Sequence, residues 1–243
     1  MTGPPSPGTP VVSTLPKPKM KIAVQPKPLH REAGFTLIEI LAVILIIGIL
    51  MTFVIPNVVS SIGLGKTTAC RSNLEQIKRG FLEYEAKYSR IPKSSGVGFF
   101  AELITEKVWK PTVKNTKTCN CPGVELSFLT PGLDEIPVED WYLSENREAI
   151  DGGWSSYAGR DLRRHPLRGF NGRGKTALVA CDNDPEGNHD TTTNVLWDDL
   201  QVRGLELVDL QREGVLDESE DVTFIPVGAD SPVEGLQTLS LSK

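Results

Sequence analysis

Apolar residues form one long run near the start of the chain. Between Phe35 and Ile55 the single charged residue is Glu39. About 20 apolar residues, each rising ~1.5 Å along a helix, are enough to cross the hydrocarbon core of a bilayer. We therefore predict a transmembrane helix over residues 35–56. At its end Pro56 lacks a backbone donor, which predicts a kink or a locally loosened helix.

Beyond the run the pattern becomes amphipathic. Apolar side chains recur at spacings of three and four residues, at Cys70, Leu74, Ile77, Phe81, Tyr84 and Tyr88. This spacing is typical of one buried helix face. Because the pattern lasts only about three heptads, it favours packing on a globular domain over a coiled coil. We therefore predict an amphipathic helix within residues 57–92.

The remaining pattern predicts a loop-rich domain over residues 93–216 and an acidic, weakly ordered tail over 217–243. Short apolar runs next to turn residues indicate strands. The predicted elements are a helix over 99–109, a loop over 112–137, strands at 177–181, 194–197 and 200–202, and a helix over 205–216. The fold class is therefore α+β, with a long N-terminal helix packed on a small antiparallel β-sheet.

Charge divides the chain at the apolar run. The net charge is −5, and residues 1–34 carry +4, so the remainder carries −9. A basic segment before the span orients the N-terminus to the cytoplasm, and the globular domain then lies in the periplasm. An acidic domain excludes nucleic acid as a partner. Residues 1–34 are Pro-rich and polar, which predicts a disordered leader, whether it starts at Met1 or Met20.

The residues that open the run form a short motif: Gly34, Phe35, Thr36, Leu37, Ile38 and Glu39. This motif resembles the type III signal of bacterial type IV pilins and type II secretion pseudopilins. The resemblance extends to Pro56, where that family also tends to have a proline. An ordinary secretory signal peptide carries its small residue after the apolar core, whereas here Gly34 precedes the core.

The resemblance implies a specific route of processing and assembly. A prepilin peptidase/methyltransferase would remove residues 1–34 by cutting after Gly34 and would methylate the new amino group of Phe35. An assembly platform would then extract the subunit from the inner membrane into a helical homo-oligomeric filament with other pseudopilins. Glu39 would neutralise a neighbouring N-terminus, and the helix around Pro56 could unwind. The protein would be a structural subunit and not an enzyme.

Two alternative functions stay open from the sequence. Within the same family, the chain could be an adhesion or motility pilin. Outside it, Gly169–Thr176 fits the letters of a phosphate-binding P-loop, which would suggest a membrane-anchored nucleotide-binding protein. No strand is predicted before these residues, and an acidic loop follows soon after them. The pattern therefore favours a glycine-rich surface loop.

The four cysteines, Cys70, Cys119, Cys121 and Cys181, all follow the apolar run. On the outer side of an inner membrane thiols are oxidised by default, so two disulfides are predicted. Their pairing stays open. The alternative is a metal site, but a Cys-x-Cys pair without a nearby His or a second close pair is a weak zinc pattern.

Acidic residues follow Cys181 at alternate positions of one loop. Asp182, Asp184, Glu186 and Asp190 resemble the first half of an EF-hand calcium loop. Type II major pseudopilins carry calcium in a C-terminal loop, so the family resemblance supports Ca²⁺ as a cofactor. Asp199 from the following turn is the candidate for the missing ligand.

A second resemblance covers the C-terminal part of the chain. His189 precedes Asp199 by ten positions, as in the H-x9-D-G signature of certain pilin-like proteins. Leu200 stands where that signature has glycine. The geometry of this turn is therefore open.

Overall fold

The computed structural model describes residue 3 and residues 34–181, 188–189, 191–217 and 224–242. It contains two compact units that divide between Ile49 and Leu50.

Helix α1, Leu37–Tyr88, is the longest element of the described chain, with 52 residues. Within it, Leu37–Ile55 is the one described segment long and apolar enough to cross a membrane. The helical backbone continues through Pro56 and through Gly63 and Gly65. The two helices predicted from the sequence are therefore one element.

The amphipathic part of α1 buries the predicted face. The side chains of Cys70, Leu74, Ile77, Phe81 and Tyr84 are fully buried. Leu82, next to Phe81 in sequence, is 45% exposed. This contrast confirms the predicted periodicity, because residues three and four apart share a helix face.

Among the described residues, four shorter α-helices follow α1, together with several 3-10 turns. Their bounds are α2 Val97–Thr105, α3 Val113–Thr118, α4 Thr130–Leu133 and α5 Leu207–Arg212. The prediction that 112–137 is a loop was wrong, because two of these helices lie inside it. Helix α3 starts where the Thr112 side chain accepts a hydrogen bond from the Asn115 backbone N–H.

The sheet is antiparallel and has five strands in the order β4-β3-β2-β1-β5. The bounds are β1 Ala158–Arg160, β2 Ala177–Ala180, β3 Thr192–Trp197, β4 Val202–Glu206 and β5 Leu239–Ser240. Together with α1 this sheet confirms the predicted α+β fold. Helix α5 is shorter than the helix predicted over 205–216, because Leu205 and Glu206 belong to β4.

The predicted weakly ordered tail is wrong for residues 224–242. Strand β5 pairs with β1 through Gly159 and Arg160. Ile225, Leu236 and Leu239 are buried in a second apolar cluster with residues of β2 and β3. Since neighbouring strand residues point to opposite faces, the sheet buries one side in the cluster with α1 and the other against this C-terminal segment.

Gly80 lets the buried face of α1 approach its neighbours closely. A Cβ at this position would lie 2.6 Å from the Trp109 ring and 2.7 Å from Leu103 Cδ1. Gly65, in the same helix, has open space around it. The two glycines therefore provide a matched pair.

We expect Gly80→Ala to destabilise the full chain in detergent by about 1–3 kcal/mol, because overpacking outweighs the better helix propensity of alanine. Gly65→Ala should instead be neutral or stabilising by up to about 1 kcal/mol. Chemical denaturation followed by tryptophan fluorescence measures both. Equal stabilisation by the two substitutions would contradict the close packing at Gly80.

Candidate functional site

The start of α1 carries a reciprocal pair of hydrogen bonds. The backbone N–H and the hydroxyl of Thr36 both donate to Glu39 Oε2, each at 2.8 Å. In return, the Glu39 backbone N–H donates to Thr36 Oγ1 at 3.3 Å. Since the helix begins at Leu37, Thr36 is its N-cap and Glu39 is the third helical residue. This arrangement is a capping box.

The capping box adds a role that the sequence interpretation missed. The family resemblance assigns Glu39 only to charge pairing, although the spacing Thr-x-x-Glu before an apolar run also predicts such a cap. Gly34 and Phe35 precede the cap in non-helical backbone, and the Phe35 side chain is 82% exposed. The carboxylate therefore has local partners within a single chain.

The segment Leu37–Ile55 has no protein around it in the described structure. Each of its large apolar side chains is at least 48% exposed. A surface of this size and apolarity is unfavourable in water, because roughly 25 cal/mol is lost for every Å² left exposed. The segment therefore fits a lipid environment or contact with other apolar helices.

A second candidate site lies in the globular unit. The ligating atoms of Cys70, Cys121, Cys181 and His189 all lie within 4.8 Å of one another. Cys121 Sγ and His189 Nε2 are 3.1 Å apart. The three cysteines are at most 1% exposed. Three thiols and one imidazole from distant parts of the chain thus converge on one point.

Three parts of the chain supply these residues, and Cys181 and His189 share the connection between β2 and β3. Cys70 belongs to α1, Cys121 to the loop after α3, Cys181 directly follows β2, and His189 precedes β3. The sequence interpretation did not combine them, because only Cys181 and His189 are close in the chain. The sequence signal available for the site was that Cys181 and His189 both lie in the connection between two predicted strands.

Cys119 differs from the other cysteines although it is also buried. It is not part of the four-residue cluster. Burial raises the pKa of its thiol, whereas contacts with the thiols of Cys121 and Cys181 hold the pKa of Cys70 well below its ordinary value. All four cysteines carry thiols in the structure. The two disulfides expected from the sequence, whose pairing is open, stay a prediction.

The P-loop-like residues surround an aspartate. Asp198 Oδ1 accepts hydrogen bonds from the backbone N–H groups of Gly174 and Lys175, at 2.7 and 3.1 Å. Its Oδ2 accepts from the Thr176 hydroxyl at 2.8 Å. Strand β2, and not a helix, follows the loop. The donors that a P-loop offers to phosphate are thus bound to a carboxylate of the same chain.

Of the five predicted calcium ligands, the structure describes Asp199. Asp182, Asp184, Glu186 and Asp190 lie outside the described residues. Asp199 lies at the far end of β3, roughly 20 Å along a six-residue strand from the loop that precedes it. Its carboxylate accepts from the Gln201 backbone N–H and pairs with Arg203 at 3.4 Å. The calcium site over these residues therefore stays a prediction.

In the turn after β3, a leucine adopts a backbone conformation that is more common for glycine. Leu200 has φ 60°, in the left-handed region that glycine adopts more easily. Its side chain packs against the main apolar cluster. Apolar packing thus accompanies the unusual backbone at the position where the related C-terminal signature has glycine.

Comparison with known proteins places the apolar helix and its signal in a family. Residues 29–55 match the prokaryotic N-terminal methylation motif. The chain is 30% identical over 66 residues to the competence protein ComGC of Halalkalibacterium halodurans, which is 27% of this chain and 65% of that protein. No solved structure matches the chain.

A second relative shares a longer part of the chain. Over 112 residues the chain is 31% identical to the type II secretion system core protein G of Pseudomonas aeruginosa, covering 46% of this chain and 70% of that protein. The methylation motif, the exposed apolar helix and the antiparallel sheet agree with this relationship. The chain therefore belongs to the type IV pilin and pseudopilin family.

Proposed function

We propose that this protein is a pseudopilin, a structural subunit of a type II secretion pseudopilus. The observation that carries the proposal is the similarity to core protein G, which reaches well beyond the methylation motif. The exposed apolar segment Leu37–Ile55 supports it, because such a helix can first lie in a membrane and later pack against copies of itself. The role is structural and not enzymatic.

Processing would supply the charge that the apolar run lacks. Between Phe35 and Ile55 the chain has no Lys, Arg or His. Cleavage after Gly34 by a prepilin peptidase would create an amino group on Phe35, four residues before Glu39. A buried carboxylate is tolerated when it is both paired and hydrogen-bonded. The capping box already provides hydrogen bonds, and the amine of a neighbouring subunit would provide the counter-charge.

The proposed location follows from the distribution of charge. Leu37–Ile55 is the one helix of the described residues that is long and apolar enough to cross a membrane, which supports a single-pass membrane protein before assembly. The basic leader favours a cytoplasmic N-terminus. The apolar helix would then cross the inner membrane, and the acidic domain would lie in the periplasm. Its partners would be identical subunits, other pseudopilins and the assembly platform.

A second candidate function is a competence, adhesion or motility pilin. The similarity to ComGC favours it, since that relative is a competence protein. A deletion strain distinguishes the candidates: loss of secreted proteins with unchanged DNA uptake and twitching supports secretion, and the reverse pattern supports the alternative. Nucleotide binding has no such support, because Asp198 binds the loop amides.

The mature protein should begin with N-methylated Phe35. Gly34→Ala should still be processed, whereas Gly34→Val should accumulate with its leader attached, because a bulky side chain would stand next to the cleaved bond. Intact-mass and N-terminal peptide analysis of membrane-extracted protein measures both features. Wild-type protein that keeps residues 1–34 in a cell with an active prepilin peptidase would contradict the proposal.

Glu39→Gln separates the two roles of this side chain. Glutamine also forms capping boxes, so the helix start should persist while the charge is lost. If pairing with the amine drives assembly, Glu39→Gln should reduce filament yield about as strongly as Glu39→Leu, with normal membrane insertion. Filaments sheared from cells and quantified by immunoblot provide the measurement.

Thr36→Ala is the matched control for this experiment. It removes the hydroxyl of the capping box and leaves the Glu39 charge in place, with an expected cost of about 1 kcal/mol in helix stability. Its filament yield should stay closer to wild type than that of Glu39→Gln. Normal assembly of Glu39→Gln would show that Glu39 acts only as a cap.

A further inference from the structure

We propose that Cys70, Cys121, Cys181 and His189 bind one Zn²⁺ ion in a structural site with three thiolate ligands and one imidazole ligand. This inference is independent of the filament function, because the four residues all belong to the globular unit. It rests on the convergence of three thiols and one imidazole within 4.8 Å.

The spacing of the ligating atoms suits a tetrahedral ion. With Zn–S bonds of ~2.3 Å and Zn–N bonds of ~2.1 Å, tetrahedral ligand atoms lie about 3.5–3.8 Å from one another. In the structure the largest separation is at most 4.8 Å, and Cys121 Sγ lies 3.1 Å from His189 Nε2. Side-chain adjustments of less than about 1 Å would therefore complete the coordination.

Hydrogen-bond donors around the sulfurs support thiolate ligands. The Gly123 backbone N–H donates to Cys121 Sγ at 3.3 Å, and the Tyr157 hydroxyl donates to Cys70 Sγ at 3.6 Å. Such outer donors orient metal ligands and stabilise their charge. A Cβ at Gly123 would collide with the Asn188 carbonyl oxygen, so glycine allows this loop to approach the residue before His189.

The ligand set indicates the metal and its role. Three soft thiolates with one imidazole favour zinc over calcium or magnesium, which take oxygen ligands. With four protein ligands the tetrahedral shell is filled, which is typical of structural zinc and leaves no coordination position for a substrate. A site of this kind stabilises the fold and does not catalyse a reaction.

The ion would add a direct link between parts of the fold that already meet through apolar packing and through hydrogen bonds such as that from Asn73 Nδ2 to the Asn120 carbonyl. It would tie α1 to the loop after α3 and to the connection between β2 and β3. A disulfide could join only two of the three clustered cysteines, and it would leave the third thiol and His189 beside it. Zinc uses all four groups at once, and its binding free energy adds to folding.

The test begins with the full chain, purified in mild detergent with a reductant and given one equivalent of Zn²⁺ in excess Mg²⁺. We expect about one zinc per chain after desalting, by elemental analysis and by native mass spectrometry. Chelation should lower the melting temperature. Thiol titration in denaturant should detect all four cysteines both before and after the addition of zinc.

Two buried cysteines form a matched pair of variants. Cys121→Ser should lower the bound zinc at least about tenfold, because it removes a ligand. Cys119→Ser, two positions away and equally buried, should keep full loading. Equal zinc content in the two variants, whether both full or both empty, would overturn the proposal.

A conservative variant covers the case in which Cys121→Ser does not fold. His189→Cys should still bind one metal ion through four thiolates. Loaded with Co²⁺, wild type should show the intense visible bands of a tetrahedral thiolate site, and His189→Cys should shift them and strengthen the sulfur-to-metal charge-transfer absorption. A cobalt spectrum identical in the two proteins would exclude His189 as a ligand.

The wild-type result alone can also overturn the proposal. Protein from the periplasmic side with two fewer titratable thiols and no zinc would show a disulfide in place of the metal site. Reduced wild type that fails to retain Zn²⁺ or Co²⁺ would show four buried thiols without a metal function.

Discussion

The burial of one face of α1 in the main apolar cluster, together with side chains of α2 and of the sheet, is the contact on which the globular unit depends. Leu74, Ile77, Phe81 and Tyr84 are fully buried, and no other helix of the described chain exceeds nine residues. Burying a side chain of this size contributes about 1.5–3 kcal/mol, so these four positions outweigh most single polar contacts. The shorter helices and loops are ordered around this face.

Two buried carboxylates of this fold, Asp198 and Glu102, each accept several hydrogen bonds. Asp198 receives two backbone N–H groups and a hydroxyl, and Glu102 receives the Tyr84 hydroxyl with the N–H groups of Lys93 and Ser94. Buried charge is costly unless its hydrogen bonds are satisfied. These two residues therefore organise loops that have little regular structure of their own.

Local patterns predicted the parts of the molecule that depend on local order. The helix periodicity from Cys70 to Tyr84 and the strands around Ala177 and Val195 follow from spacing and side-chain type. Strand β5 could not be predicted, because its two residues form a strand only by pairing with β1, about 80 positions earlier in the chain. Tertiary contacts decide such short elements.

The cysteine cluster could not be predicted from local sequence patterns either. Cys121 and His189 are 68 residues apart, and Cys70 lies 51 residues before Cys121. No spacing rule connects residues supplied by a helix, a loop and a hairpin. The capping box is the opposite case, because Thr36 and Glu39 are three residues apart and their pairing is a local pattern.

The capping box also determines where backbone protection begins. An amide inside a helix is held by its hydrogen bond and its fixed geometry, so a protease must unwind the chain to cut there. Because the helix starts only at Leu37, the peptide bond between Gly34 and Phe35 stays in non-helical backbone. If the proposed processing occurs, Thr36 and Glu39 thus leave the bond to be cut in accessible, non-helical backbone while the apolar helix behind it is fully formed.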